Sequence, residues 1–172
     1  TYRQFWQDTS RLARSLLGRG IAKGDRVGIW APNRYEWVIT QYATARVGAV
    51  LVNVNPAYKA KELEHALTQS GVRMLLHARR FRTTDYGAVL DRVRARCPML
   101  TEVIVIDDDW EALLEEASAT DEAALADREG SLAFDDPINI QYTSGTTGSP
   151  KGATLSHHNI LNNGYFCGEI LG

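Results

Sequence analysis

Gly24-Asp25-Arg26-Val27-Gly28-Ile29-Trp30 opens, and Gly48-Ala49-Val50-Leu51-Val52-Asn53-Val54-Asn55-Pro56 closes, the stretch whose reading decides the fold. Gly24-Asp25 has turn chemistry, and the apolar run after it predicts a strand over 26–30. Asn33 followed three residues later by Glu36 has the form of a capping box, so a helix is expected over 34–47, with Gly48 ending it. A second strand over 49–54 then closes at Asn55-Pro56. Strand, helix and strand in that order make one crossover unit, and parallel strands can only be joined by such a unit.

The same alternation continues on both sides. Thr1 is a suitable N-cap for a helix whose Phe5, Leu12, Leu16 and Leu17 share a face, closed by Gly18 and Gly20. Downstream, a helix over 59–70 stops at Gly71 before a strand over 73–77, and a helix over 86–96 precedes a strand over 102–106. Short apolar strands alternating with helices predict an α/β fold, a mainly parallel sheet flanked by helices on both faces. Residues 107–136 are acidic and Ala-rich, with short helical patterns at 110–117 and 121–128. They read as a solvated surface excursion.

Composition narrows the function classes. The 172 residues are 44% hydrophobic and 23% charged with a formal net charge of -2, so no global basic excess suggests nucleic acid or an acidic membrane. Cys97 and Cys167 are the only cysteines. Neither has zinc-type spacing, and without a secretory signal both read as reduced thiols of a cytoplasmic protein. No apolar run approaches the roughly 20 residues of a membrane span. The first residue is Thr1, opening straight into a helix, and the last follows directly on another helix. This reads as a segment of something longer, which would leave exposed apolar surface and a tendency to self-associate.

Chemistry concentrates after Pro137. A strand over 138–142 runs into Thr143-Ser144-Gly145-Thr146-Thr147-Gly148-Ser149-Pro150-Lys151-Gly152. Glycines let backbone N–H groups turn toward an anion, hydroxyls add donors, and a Lys ammonium supplies full charge for phosphate oxygens. Such a loop suits a polyphosphate. A flexible polar linker is the alternative, but the position after an apolar strand and the lone Lys151 argue against it. The Walker A pattern does not fit, because Lys151 follows Pro150 and precedes Gly152 and does not open a helix. The expected order is strand, loop, short strand, then a helix beginning after Ser156.

The run from Tyr142 to Gly152 resembles the signature phosphate loop of the acyl-adenylate-forming superfamily, which holds acyl-CoA synthetases, luciferases and peptide-synthetase adenylation domains. Gly24-Asp25-Arg26-Val27, and Gly48-Ala49-Val50 through Asn53-Val54-Asn55-Pro56, are similar to earlier segments of the same family. Asn139-Ile140-Gln141-Tyr142 and Leu155-Ser156-His157-His158-Asn159-Ile160 look most like the medium-chain fatty acyl-CoA synthetase branch. The resemblance implies the N-terminal part of the large AMP-binding domain over 1–172, with ATP, Mg2+ and coenzyme A as co-substrates of the full-length enzyme and a fatty or other carboxylic acid as the group activated. It implies that Thr143, Ser144, Thr146 and Thr147, the backbone of Gly145 and Gly148, and the adjoining Ser149 and Pro150 surround the phosphates, with Lys151 on the outer ones. The family's Mg-binding Glu, ribose-binding Asp and the catalytic Lys of its C-terminal domain have no counterpart here. The chain alone is therefore expected to be inactive, and a non-catalytic module that binds nucleotide phosphates weakly or mediates protein interaction is the second reading.

Other candidates have plainer readings. His157 and His158 could touch nucleotide but read as surface residues at a helix start, since adjacent helical side chains point about 100° apart. Cys167 has no visible base beside it. Asp107-Asp108-Asp109 reads as a solvated turn and not a cation site. Arg92, Arg94 and Arg96 read as a solvated helix face, and Trp30, Trp37 and Tyr42 as core or interface aromatics.

Overall fold

The computed structural model describes residues 1–143 and 150–171. Thr1 caps the first helix, α1 (Tyr2–Gly18), by accepting from the Gln4 N–H at 3.3 Å. Strand β1 (Arg26–Trp30), helix α2 (Tyr35–Arg46) and strand β2 (Val50–Asn53) follow. Helix α3 (Ala60–Ser70) ends at Gly71, whose φ of 64° is a backbone conformation that favours glycine, and leads to β3 (Met74–His77). A small hairpin, β4 (Arg80–Phe81) and β5 (Thr84–Asp85), precedes α4 (Tyr86–Asp91). Then come β6 (Glu102–Val105), α5 (Ile106–Glu115), α6 (Glu122–Gly130), β7 (Pro137–Thr143), β8 (Lys151–Ser156) and α7 (His157–Leu171).

The sheet runs β6-β3-β1-β2-β7-β8. Its first five strands are mutually parallel, and β8 returns antiparallel on β7 at the edge. Because β1 to β2 steps one way along the sheet and β2 to β3 steps back across β1, the crossover helices fall on opposite faces. Helices α1, α2, α5 and α6 pack together on one face, and α3 and α4 on the other. Val27, Ile29, Leu51, Val52, Leu75 and Leu76 are fully buried between them, as expected of strands covered on both sides.

Four expectations need correction. The Asn33–Glu36 capping box does not form: Arg34 occupies the cap position without a side-chain cap bond, and its guanidinium takes Glu36 in a two-pronged grip at 2.8 and 2.9 Å. The helix expected over 86–96 splits into α4 and a 3-10 turn at Arg94–Arg96, ending at Cys97, the residue before Pro98, which proline keeps out of helical geometry. The strand expected to 106 ends at Val105, and Ile106 starts α5. Residues 107–136 are not a solvated excursion. Ile106, Trp110, Leu113, Leu114 and Ala117, at helical spacing, form a buried stripe that packs on α1, with Leu125 of α6 beside it. The acidic residues occupy the outer face of that same helix.

Candidate functional site

In a parallel sheet all carboxyl ends lie along one edge, where α/β folds bind their ligands. Here that edge carries Trp30, Asn53, His77 and Thr143, the last residues of β1, β2, β3 and β7. Hairpin strands β7 and β8 bring the two ends of the phosphate-type loop, Thr143 and Lys151, to this edge. Thr143 and Lys151 are direct register partners at the neck of that loop, both exposed and on the same side of the hairpin. Ser144, Gly145, Thr146, Thr147, Gly148 and Ser149 lie outside the described residues, and Pro150 is half-buried.

One position further from the loop, Tyr142 and Gly152 pair and face the opposite side, toward α3. The Tyr142 hydroxyl donates to the Ala66 carbonyl at 3.2 Å, and burial pushes its phenol above the ordinary value. His65, the neighbour of Ala66 on α3, holds its Nε2 3.2 Å from the Pro150 carbonyl. Gly152 is required by close approach, since a Cβ there would sit 2.9 Å from Ile140 Cγ2 and 3.4 Å from the Tyr142 ring.

Beneath the hairpin runs a row of side-chain amides. Asn139, fully buried on β7, donates to Gln41 Oε1 of α2 at 2.8 Å and accepts from Asn53 Nδ2 of β2 at 3.2 Å. Asn53 Oδ1 is buried without a partner among the described residues. Beside it, Trp30 and Tyr86 stack with ring centres 3.6 Å apart and planes 8° from parallel. Trp30 Nε1 donates to the Asn55 carbonyl at 3.1 Å and the Tyr86 hydroxyl to the Pro56 carbonyl at 2.7 Å, so the aromatic pair fixes the turn after β2. Burial pushes the Tyr86 phenol up to about 12. His77, also buried, directs Nδ1 at the Ala78 carbonyl at 2.7 Å.

The remaining candidates lie elsewhere. His157 and His158 begin α7 at the Pro137–Ser156 end of the hairpin, the end opposite Thr143 and Lys151, and so do not adjoin the loop in space. Burial pulls the His157 imidazole below its ordinary value, and its Nε2 has no partner among the described residues. Asp107, Asp108 and Asp109 form the first turn of α5 and not an open turn. Asp107 accepts from Arg34 at 2.9 Å and from the Arg79 N–H at 2.6 Å, Asp108 pairs with Arg79, and Asp109 accepts from the Val105 N–H at 2.9 Å. Among the described residues no three His, Cys, Asp or Glu converge as a metal site. Arg92, Arg94 and Arg96 are exposed, the last paired with Glu64 at 2.8 Å. Cys167 is an exposed free thiol and Cys97 a buried one that burial pushes up. Trp30 is core and Trp37 packs at its margin, whereas Tyr42 is 53% exposed and meets Phe5 edge-on.

A family described as AMP-binding enzyme matches residues 1–171. The chain belongs to that family. Similarity to a mitochondrial medium-chain acyl-CoA ligase of Danio rerio is 42% identity over 191 residues, covering 100% of this chain and 32% of the relative. A long-chain-fatty-acid-CoA ligase of Archaeoglobus fulgidus superposes with a TM-score of 0.77 at 30% identity, over 95% of this chain and 31% of that one. An inhibitor-bound N-terminal domain of a Mycobacterium tuberculosis protein, FACL13, does so with a TM-score of 0.74 at 34% identity, over 91% of this chain and 37% of that one. This AMP-binding segment therefore spans about a third of the relatives it matches, and the resemblance to acyl-CoA synthetases read from its motifs is borne out. Sequence reading missed His65, Ala66 and the row of amides, because each acts through partners distant in the chain.

Proposed function

We propose that this chain is the N-terminal part of the AMP-binding domain of an ATP-dependent acid–CoA ligase, and that it supplies the grip on the outer phosphates of ATP. One observation carries the reading: Thr143 and Lys151 face each other at the neck of a Gly, Ser and Thr loop, at the carboxyl end of a parallel strand. A Lys ammonium there neutralises phosphate charge as it builds toward pyrophosphate. Adenylyl transfer needs positioning and charge neutralisation more than covalent help from the protein. In the full-length enzyme the carboxylate of a fatty or other acid attacks the α-phosphorus, the α–β bridging bond breaks, and pyrophosphate leaves through the grip of Thr143, Lys151 and the residues between them. The thiol of coenzyme A then displaces AMP. Mg2+ would accompany the triphosphate, and no described cluster of this chain is placed to ligate it.

The test is acid-dependent ATP–pyrophosphate exchange by the full-length protein, scanned over carboxylic acids of increasing chain length. Exchange with medium-chain acids is expected. Absence of exchange with every acid tried would overturn the reading.

For the 172-residue chain by itself the second reading, a module without catalysis, is favoured by α7. That helix buries no residue, and Leu161, Tyr165, Phe166, Ile170 and Leu171 are all exposed. Exposed apolar side chains of this number favour self-association. Sedimentation velocity should show species above the monomer at high concentration, and a strictly monomeric profile would contradict this.

A further inference from the structure

Both legs of the loop's neck rest on two successive residues of one helix. The incoming leg is held by Tyr142, whose hydroxyl donates to the Ala66 carbonyl at 3.2 Å. The outgoing leg is held by His65, whose Nε2 lies 3.2 Å from the Pro150 carbonyl. A carbonyl only accepts, so Nε2 carries the proton of this bond. His65 and Tyr142 also meet ring edge to face, with centres 6.2 Å apart. Pro150 cannot donate, having no N–H, and it is the residue immediately before Lys151. The imidazole thus fixes the backbone one residue from the ammonium, and strand alternation then sends Lys151 to the side away from α3.

We infer that His65 is a positioning residue for phosphate binding, acting through the Pro150 carbonyl to hold the Lys151 backbone. This rests on the reading of the loop as a grip on the ATP phosphates. Acting through the backbone, His65 affects the step that uses Lys151 and not the step after pyrophosphate has left.

The experiment compares His65→Gln, His65→Asn and His65→Leu in the full-length protein. The side-chain amide nitrogen of Gln reaches about as far as imidazole Nε2, whereas that of Asn stops one bond short, and Leu fills space without a donor. ATP–pyrophosphate exchange should fall about fivefold in the Asn and Leu variants, the worth of one ordinary hydrogen bond, and recover most of the way in the Gln variant. Thioester formation from preformed acyl-adenylate should be unchanged in all three. On a Lys151→Ala background, His65→Leu should cost nothing further, because the group it positions is gone.

Equal behaviour of Asn and Gln, an equal loss in both half-reactions, or full additivity with Lys151→Ala would overturn the inference. If Lys151→Ala slows exchange and His65→Leu does not, the positioning role alone fails. If Lys151→Ala leaves exchange intact, the loop reading fails and this inference with it. A lowered unfolding midpoint in the Leu variant leaves the Asn and Gln comparison decisive at matched folded fraction, since those two carry the same amide at different reach and differ otherwise by a few tenths of a kcal/mol of helix propensity.

Discussion

Helices α2 and α7 both follow a strand of the same sheet, and α7 is the longer and the more apolar. Yet α2 buries Ile39, Thr40, Ala43 and Thr44, while α7 buries no residue and, among the described residues, packs mainly on β8, with its first turn against Phe134 and Asp136. Apolar content therefore does not decide burial here. Helix α2 crosses between neighbouring parallel strands, lies on the sheet, and is covered in turn by α1 and α6. The molecule divides accordingly into residues 1–136, closed on both faces, and residues 137–171, which hold the proposed phosphate grip and rest on the β2–β7 pairing, α3 and the amide row.

The sharpest way to break that division is to truncate one large apolar side chain on each side of it. Trp30→Ala removes a fully buried ring together with its stack on Tyr86 and its bond to Asn55, and should cost about 3 to 5 kcal/mol in denaturant unfolding. Phe166→Ala on α7, where the ring is 61% exposed, should stay within about 0.5 kcal/mol. A comparable loss from both would mean that α7 belongs to the same cooperative core.

Asn139 is where the two regions join. Asn139→Leu keeps the volume but removes the partner of Gln41 Oε1 and Asn53 Nδ2, both on half-buried side chains, so the penalty falls at the low end of about 1 to 3 kcal/mol for each unsatisfied group. A loss of about 2 kcal/mol in the unfolding free energy is expected. The double variant with Asn53→Ala should lose less than the sum of the singles, because the two share one bond.

Lys151→Ala should do the reverse. Its ammonium is exposed, so stability should hold, while the adenylate-forming half-reaction should slow roughly ten- to a hundredfold, from a charge-assisted contact of about 1.5 to 3 kcal/mol. Thioester formation from preformed acyl-adenylate should be spared. Lys151→Arg should recover only part of the rate, since a planar fork is not a compact ammonium. An equal loss in both half-reactions would show that Lys151 is not a phosphate contact.

Local pattern carried much of this. The span of β1 matches its apolar run, and Gly71 and Ser156 mark helix boundaries because glycine and serine act within one turn of themselves. The signal failed where two local cues competed. In α5 the run Asp107-Asp108-Asp109 looked solvent-facing, and the same three carboxylates are caps and ion-pair partners of a helix whose other face is core. It failed again wherever a bond spans the chain: Asn139 to Gln41 is 98 residues apart and His65 to Pro150 is 85. No spacing in the sequence encodes such pairs. The run 143–152 stands out in the sequence because its residues are contiguous, and what holds its two ends does not.

A modest, pH-dependent effect is expected at Glu36, inside the closed region. Arg34 beside it holds its carboxyl below the ordinary value, against burial and against the nearby Asp107, which push it up. A depressed native value means that the unfolded chain binds the proton more readily. The pair therefore stabilises fully above the unfolded value of about 4.3, and the contribution is lost as pH falls through the lower native value. Glu36→Gln keeps the size and removes the charge, so the variant should be less stable by about 0.5 to 1 kcal/mol at neutral pH. Arg34 keeps Asp107 as a partner at 2.9 Å, which limits the loss. Plotted against pH, the two stability curves should run parallel above about pH 5 and converge below it. A gap that stays constant into acid would assign the effect to packing and not to charge, and a wider gap in acid would reverse the sign argued here.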